Sequence, residues 1–377
     1  MDAAAWRRLC VAFKGPSTSL CQALANLARM LATTIVDPVA VEPLMACRLI
    51  VLEKRPGVCP IGVCEVARRI VAKAILRAVN KDVEEACGFL QKCSGLPAGQ
   101  EAAVHAMQRM FEDEGVEGLL LVDAQNAFNS MNRDAALHNV QRLCPAMSAV
   151  LLNCYQAPSR LFVSGGGEIR SREGTTQGDP LSMPFYALAI LPLLRRLQND
   201  HPSVRQAWLA DDSAGAGRLS ALRQWWDALT SAGADYGYYT NSLKTVLLVK
   251  ADLQEEADAI FQGTGVTISV NGVRYLGSAI GEPAFLEQFF LDKVEEWKKE
   301  IEQLATFANT EPHAAFAALT HGLHGKYTYL LHTLPAPVDG LEDMDNAIVN
   351  GFLPSLTGRV NFTAAELELL WLPACLG

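Results

Sequence analysis

The sequence predicts an α+β fold of interwoven subdomains. Three features point there: short apolar runs that stop abruptly at carboxylates, glycine-marked hairpins, and longer stretches with leucine at helical spacing. The chain has 377 residues, half of them hydrophobic. That length is enough for more than one core, and about two or three subdomains are expected. No repeat, low-complexity tract or long linker interrupts it, so the subdomains should be woven together rather than strung in a row.

Residues 3–13 and 19–34 read as helices, the second with Leu20, Leu24, Leu27 and Leu31 on one face. Residues 48–52 read as a strand that turns at Pro56-Gly57 into a second extended segment, 58–61. A helix over about 64–78 follows, with Arg68, Arg69 and Lys73 on its polar side. The run 118–122 is wholly apolar, as in a strand covered on both faces. Residues 133–157 are helical with a break at Pro145, and 160–163 pairs with 168–170 across a glycine turn. That turn has no helix after it and is not a phosphate loop. Residues 181–197 and the segment with Leu219, Leu222, Trp226 and Leu229 read as helices, with Asp211-Asp212 in a hairpin turn between them. A strand over 244–249 comes next. Residues 266–270 and 273–276 flank Asn271-Gly272, a pair suited to a type I′ turn, and are expected to form a hairpin. From 285 the chain turns helical, with Phe289, Trp297, Ile301 and Leu304 as core positions.

No apolar run approaches the length of a membrane span, and the first residues lack the order of a signal peptide, so a soluble intracellular protein is expected. The compartment, nucleus or cytoplasm, stays open. The ten cysteines show no C-x-x-C pair, which argues against zinc and against a disulfide framework. His313, His321 and His324 read as capping or packing residues. The net charge of −9 argues against a generally basic nucleic-acid binder. Its distribution is uneven: residues 1–80 carry eleven Lys or Arg and five acids, a local +6 that leaves −15 for the remainder. This fits a front end that holds phosphates and a remainder that holds metals, or else an unevenly charged solvated surface.

Asp211-Asp212 follows the apolar residues 207–210, and Asp123 ends the apolar run 119–122. Carboxylates are costly at the ends of buried strands unless a positive partner binds them. Mg²⁺ takes such oxygens together with substrate phosphates, and a pair of ions can clamp the attacking and leaving oxygens of a phosphoryl transfer. A nucleotidyl transferase is the chemistry expected.

Five segments sharpen that reading: Asp123-Ala124-Gln125-Asn126-Ala127-Phe128-Asn129-Ser130, Glu173-Gly174-Thr175-Thr176-Gln177-Gly178-Asp179-Pro180-Leu181, Leu209-Ala210-Asp211-Asp212, Asn241-Ser242-Leu243-Lys244-Thr245 and Tyr275-Leu276-Gly277. A doubled aspartate alone is weak, since turns favour Asp. In this order, over residues 46–281, the set resembles the reverse transcriptases of non-long-terminal-repeat retrotransposons. The resemblance implies a right-hand polymerase fold. Its fingers would lie in 1–115, its palm, an antiparallel sheet backed by helices, in 116–283 with a fingers segment at about 158–180, and its helical thumb in 284–377. It implies RNA-directed DNA synthesis from an RNA template, a DNA or RNA primer and deoxynucleoside triphosphates.

Residue by residue, the resemblance implies that Asp123, Asp211 and Asp212, with the Ala124 carbonyl, hold two Mg²⁺ ions, with Mn²⁺ as a substitute. Phe128 would sit under the incoming sugar and exclude a 2′-hydroxyl, or else be core. Gln177 and Gly178 would approach the template or sugar, with Asp179 capping a helix whose first residue is Pro180. Lys244 would neutralise or protonate pyrophosphate, or else be a solvated strand-end lysine. Lys54, Arg55, Arg68 and Arg69 are candidates for gripping triphosphate or template. Two departures stand out. Cys59 occupies a place where the family usually has an arginine for the triphosphate, and Leu209 replaces an aromatic. Activity lowered by Cys59, or a catalytically impaired remnant that binds nucleic acid or protein, is the alternative. The end at 373–377 fits a piece of a longer polyprotein.

Overall fold

The computed structural model describes residues 2–53, 58–92, 98–335 and 338–370. The apolar and alternating runs form eleven strands among the described residues: β1 (Cys47–Glu53), β2 (Val58–Cys64), β3 (Gly118–Val122), β4 (Ser159–Val163), β5 (Glu168–Ser171), β6 (Arg205–Leu209), β7 (Asp212–Gly217), β8 (Val246–Val249), β9 (Thr267–Ser269), β10 (Gly272–Tyr275) and β11 (Ser278–Gly281). Two units separate, one of residues 1–103 and 109–268, the other of 104–108 and 269–377.

In the first unit a five-stranded sheet has the order β6-β7-β3-β8-β9, with β3 antiparallel to both β7 and β8. All five residues of β3 are buried, so its unbroken apolar run is what a central strand covered on both faces requires. Its neighbour β7 is made of small residues, and this lets the backing helix Leu219–Gly233 come close. A Cβ at Gly215 would meet Val204 at 3.0 Å and Leu222 and Trp225 just beyond. The helix Ser182–Asp200 is buried along most of its length, and each Leu or Phe it hides is worth roughly 1.5–3 kcal/mol. A second sheet, β2-β1-β4-β5, is mixed: β1 and β2 form a hairpin, whereas β1 runs parallel to β4. The helix expected to end near residue 78 runs on to Cys87, because nothing breaks it before Gly88, which takes φ +56°.

One expected hairpin is not there. β9 joins the edge of the five-stranded sheet, and β10 pairs with β11 instead. The turn of that pair is Leu276-Gly277, with φ of +50° and +83°. Asn271 is not free to turn the chain, since its carbonyl accepts the Glu282 N–H at 2.8 Å. Tertiary pairing overrides the local Asn-Gly preference here.

The second unit is built on the helix Pro283–Ala308, whose apolar stripe of Phe290, Val294, Trp297 and Ile301 is buried under shorter helices. Trp297 meets Phe290 and Tyr327 edge to face, at ring separations of 6.1 and 5.9 Å. His324 packs edge to face on Tyr327. Among the described residues no helix is long and apolar enough to cross a membrane.

Trp297→Ala should destabilise this unit by about 3–5 kcal/mol, the cost of emptying a large aromatic site. Urea unfolding followed at equilibrium measures it, and a loss under about 1 kcal/mol would contradict the packing described.

Candidate active site

The pairing of β3 with β7 sets Val122 opposite Ser213. Asp123 therefore leaves its strand beside Asp212 at one end of the sheet. The turn between β6 and β7 is strained, with Ala210 at φ +56°, a conformation non-glycine residues rarely hold without support. Gln91, fully buried, supplies that support. Its Oε1 accepts the Ala210 N–H at 2.7 Å and its Nε2 donates to the Ala210 carbonyl at 3.0 Å. From the other side the Tyr238 hydroxyl donates to the Asp211 carbonyl at 3.0 Å. Burial pushes the Tyr238 phenol well up, so it stays a donor. Neither Gln91 nor Tyr238 was singled out from the sequence, because a lone Gln or Tyr in a polar stretch carries no local signal.

Asp123 is held by its surroundings. The Asn241 N–H donates to its carbonyl at 2.8 Å, Asn241 Nδ2 reaches its Oδ2 at 3.3 Å, and Lys244 Nζ lies 4.0 Å from the same oxygen. Ala124 bridges Thr240. The Lys244–Asp123 pair is open to solvent, so it contributes about 1 kcal/mol at most. Asp212 is different: the enclosing protein desolvates its carboxyl, and the like charges of Asp211 and Asp123 add to this, raising it to about 6. Asp212 as a whole residue is exposed, however, so solvent screens its carboxyl and tempers the effect.

Among the described residues no three Asp, Glu, His or Cys side chains are gathered closely enough to hold a metal ion. The acids form an open set rather than a finished cage. Like charges repel, and Asp123 has found a cation and an amide within the chain. The chemistry of the set still suits a hard divalent cation, because the donors are carboxylate oxygens whose crowding, visible in Asp212, a cation would relieve.

A cleft of about 470 Å³ opens beside these residues. It brings together Asp123, Ala124, Phe128, Gln177, Asp211 and Lys244, which come from four separate segments of the chain. Phe128 lies half-buried in its wall and stacks on Tyr186, with ring centroids 4.5 Å apart. Gln177 is placed by a loop wrapped on the Phe128 segment: the Thr175 N–H donates to the Phe128 carbonyl at 2.6 Å, and a Cβ at Gly174 would collide with the same carbonyl. Arg133 fastens that loop, donating to the carbonyls of Ser171, Glu173 and Gly174.

Three expectations need correction. Gly178 adopts φ +107° and lies against β2, where a Cβ would come 2.6 Å from the Gly62 carbonyl; the close approach it permits is to protein backbone. The helix after it starts at Ser182 rather than at Pro180, because Asp179 faces inward. Its Oδ2 accepts from Arg68 at 2.5 Å and from the Tyr155 hydroxyl at 2.6 Å, while its Oδ1 accepts the Leu181 N–H. Arg68 is consequently not a phosphate grip. It is 2% exposed and also donates to the Met45 carbonyl. Burial is the largest single influence and weakens its charge, but the attraction of Asp179 together with that of Cys154, Cys64 and Tyr155 outweighs it and holds the guanidinium firmly protonated. Arg69, the next residue, is exposed and does not line the cleft. Lys54 and Arg55 lie outside the described residues, as does the side chain of Cys59.

The sequence profile of the family described as reverse transcriptase (RNA-dependent DNA polymerase) matches residues 53–280. Among solved structures, apo telomerase from Candida tropicalis is similar at 12% identity over 96% of this chain and 65% of that one, with a TM-score of 0.49. Telomerase from Candida albicans in complex with a TWJ fragment of telomeric RNA gives 12% identity, coverage of 95% and 67%, and a TM-score of 0.47. Apo telomerase from Candida tropicalis truncated of its C-terminal domain gives 14%, 72% and 61%, and 0.45. The chain spans about two thirds or less of the length of these structures. No curated protein sequence matches it.

Arg68→Met should destabilise the first unit by about 3–5 kcal/mol, since it leaves a buried carboxylate without its cation, and adding Asp179→Leu should recover much of that loss. Equilibrium unfolding of both variants decides; no loss in the single variant would return Arg68 to the list of substrate contacts. The second expectation concerns pH. Because the folded protein holds the Asp212 proton up to about 6 against 3.8 for an ordinary Asp, stability should fall as pH rises through that window. Metal-free Asp212→Asn should therefore gain on the order of 1 kcal/mol at pH 8, after discounting for solvent screening, and nothing near pH 4. An equal gain at both pH values would refute the like-charge account.

Proposed function

The chain belongs to the reverse transcriptase (RNA-dependent DNA polymerase) family, and on that premise we propose that it copies an RNA template by adding deoxynucleotides to the 3′ end of a DNA or RNA primer. Membership carries the α+β right-hand fold, in which we take the five-stranded sheet as palm and the helices after Pro283 as thumb. Within it we assign fingers to 1–115 and about 158–180, the rest of the palm to 116–283 and the thumb to 284–377. The single observation that supports activity most is the cleft in which Asp123 and Asp211 share a wall with Phe128, Gln177 and Lys244.

The carboxylates of Asp123, Asp211 and Asp212 and the Ala124 carbonyl would hold two Mg²⁺ or Mn²⁺ ions, which when bound neutralise the triphosphate and make the primer hydroxyl more acidic. Phe128, braced by Tyr186, would crowd the 2′-hydroxyl of a ribonucleotide bound beside it. Gln177 offers its amide to the sugar or template strand. Lys244, four ångströms from Asp123, is placed to release that carboxylate and give its charge or proton to the leaving pyrophosphate. Lys54 and Arg55 are assigned to triphosphate or template on the family resemblance alone.

A second reading, an element-derived remnant that binds nucleic acid or protein without polymerising, has two observations in its favour. Cys59 stands where the family usually has a guanidinium, and Asp123 is occupied by Asn241 and Lys244. An origin in a non-long-terminal-repeat retrotransposon fits both readings.

Primer extension on an RNA template with Mg²⁺ or Mn²⁺ separates them. Wild type should extend with deoxynucleotides, Asp211→Ala should lose at least about a hundredfold in rate, and Phe128→Ala should admit ribonucleotides. No extension by wild type, together with none by Cys59→Arg, would leave the binding reading.

A further inference from the structure

We propose that the helix Val66–Cys87 carries a second nucleic-acid contact outside the cleft, a cationic row that tracks the phosphate backbone of an unpaired RNA strand. Arg69, Lys73, Arg77 and Lys81 recur every fourth residue and all four are exposed. At 1.5 Å per residue the row spans about 18 Å with steps of about 6 Å, a spacing on the scale of successive phosphates in an extended strand.

None of the four cations has an ion-pair or hydrogen-bond partner among the described residues. Like charges at this spacing oppose one another across each turn, so the row is held together against its own repulsion and an anionic strand would relieve it. Its orientation is set by the other side of the helix, where Arg68, Val71, Ala72, Ile75 and Val83 are buried. Ala74 and Ala78 lie exposed beside the row and leave a low floor over which a backbone can come close. Glu65 and Glu85 close the row at its two ends. On a chain of net −9, such a row is a local attractor against a repelling background.

The occupant is RNA because the helix follows directly on β2, whose Val58 and Pro60 line the cleft, and the strand longest unpaired beside a copying cleft is the template. This choice of strand rests on the polymerase reading. With no aromatic in the row, recognition would be electrostatic and independent of sequence.

The test is anisotropy of labelled, unstructured poly(U) RNA over a salt series, comparing wild type with the triple variant Lys73→Gln, Arg77→Gln, Lys81→Gln. The slope of log affinity against log salt should fall by about 2, three phosphate contacts at about 0.7 each, with at least about a tenfold loss near physiological salt. Should the triple variant fail to fold by circular dichroism, Lys73→Gln with Arg77→Gln should show about two thirds of the slope change. Unchanged affinity and slope would overturn the proposal. Row-dependent binding to anionic vesicles or poly-glutamate that is tighter than binding to poly(U) at the same salt would also overturn it, since the row would then serve another partner. Extension on a template too short to leave the cleft should be the same in wild type and triple variant. Absent extension with row-dependent RNA binding would sink the polymerase reading alone; intact extension with no row-dependent binding would sink this one alone.

Discussion

The antiparallel register of β3 on β7 is the constraint on which the rest of the molecule depends. Val122 faces Ser213, so the acid that follows one strand comes to the same end of the sheet as Asp212, which begins the other, and Asp211 in the turn before it. A slip of one residue would turn every side chain of β7 to the other face and carry Asp212 away from Asp123. The slip is resisted by burial on both sides: β3 is closed over entirely, and β7 has only small side chains because a helix lies on it. The strained Ala210, clamped by Gln91, then fixes where the turn places its carboxylates.

A second level of support lies beneath the cleft. Arg68, Asp179 and Tyr155 form a buried polar cluster that ties the helix Val66–Cys87 to the loop carrying Gln177. A buried ion pair of this kind does not in itself add much stability, since desolvation offsets attraction, but losing one partner is expensive. Its value is specificity: the loop has one place to go. Arg133 acts similarly on the other end of the same loop, and Gly62 and Gly178 let loop and strand meet backbone to backbone. The loop carrying Gln177 is thus held by charged side chains that are almost wholly buried.

Charge is divided between these parts. The acids crowd one end of the five-stranded sheet enough to raise Asp212, while unpaired cations run along an exposed helix of the same unit. Such a division fits the proposed function, in which the row would draw in an anionic strand and the acids would be left for metal ions.

Much of this was legible locally. Apolar runs, helical leucine spacing and glycine turns marked most strands and helices because those elements satisfy their own hydrogen bonds along or between neighbouring segments. The motif around Asp123, the doubled acid and Gln177 lie where the chain makes sharp turns, which leaves a compositional trace. What remained hidden depended on partners far away in the chain. Asn271-Gly272 has the composition of a hairpin turn, yet β9 lies at the edge of the five-stranded sheet, whose central strand is β3, and β10 pairs with β11 instead. Arg68 and Arg69 are indistinguishable as letters, and only the packing of Asp179 against one of them makes it core and leaves the other at the surface. The sequence by itself determined which segments would be strands and which residues could serve as acids, since both follow from side-chain chemistry within a few residues. Only the tertiary structure decided which charges are paired and buried, because that depends on long-range contacts whose energies no local window contains.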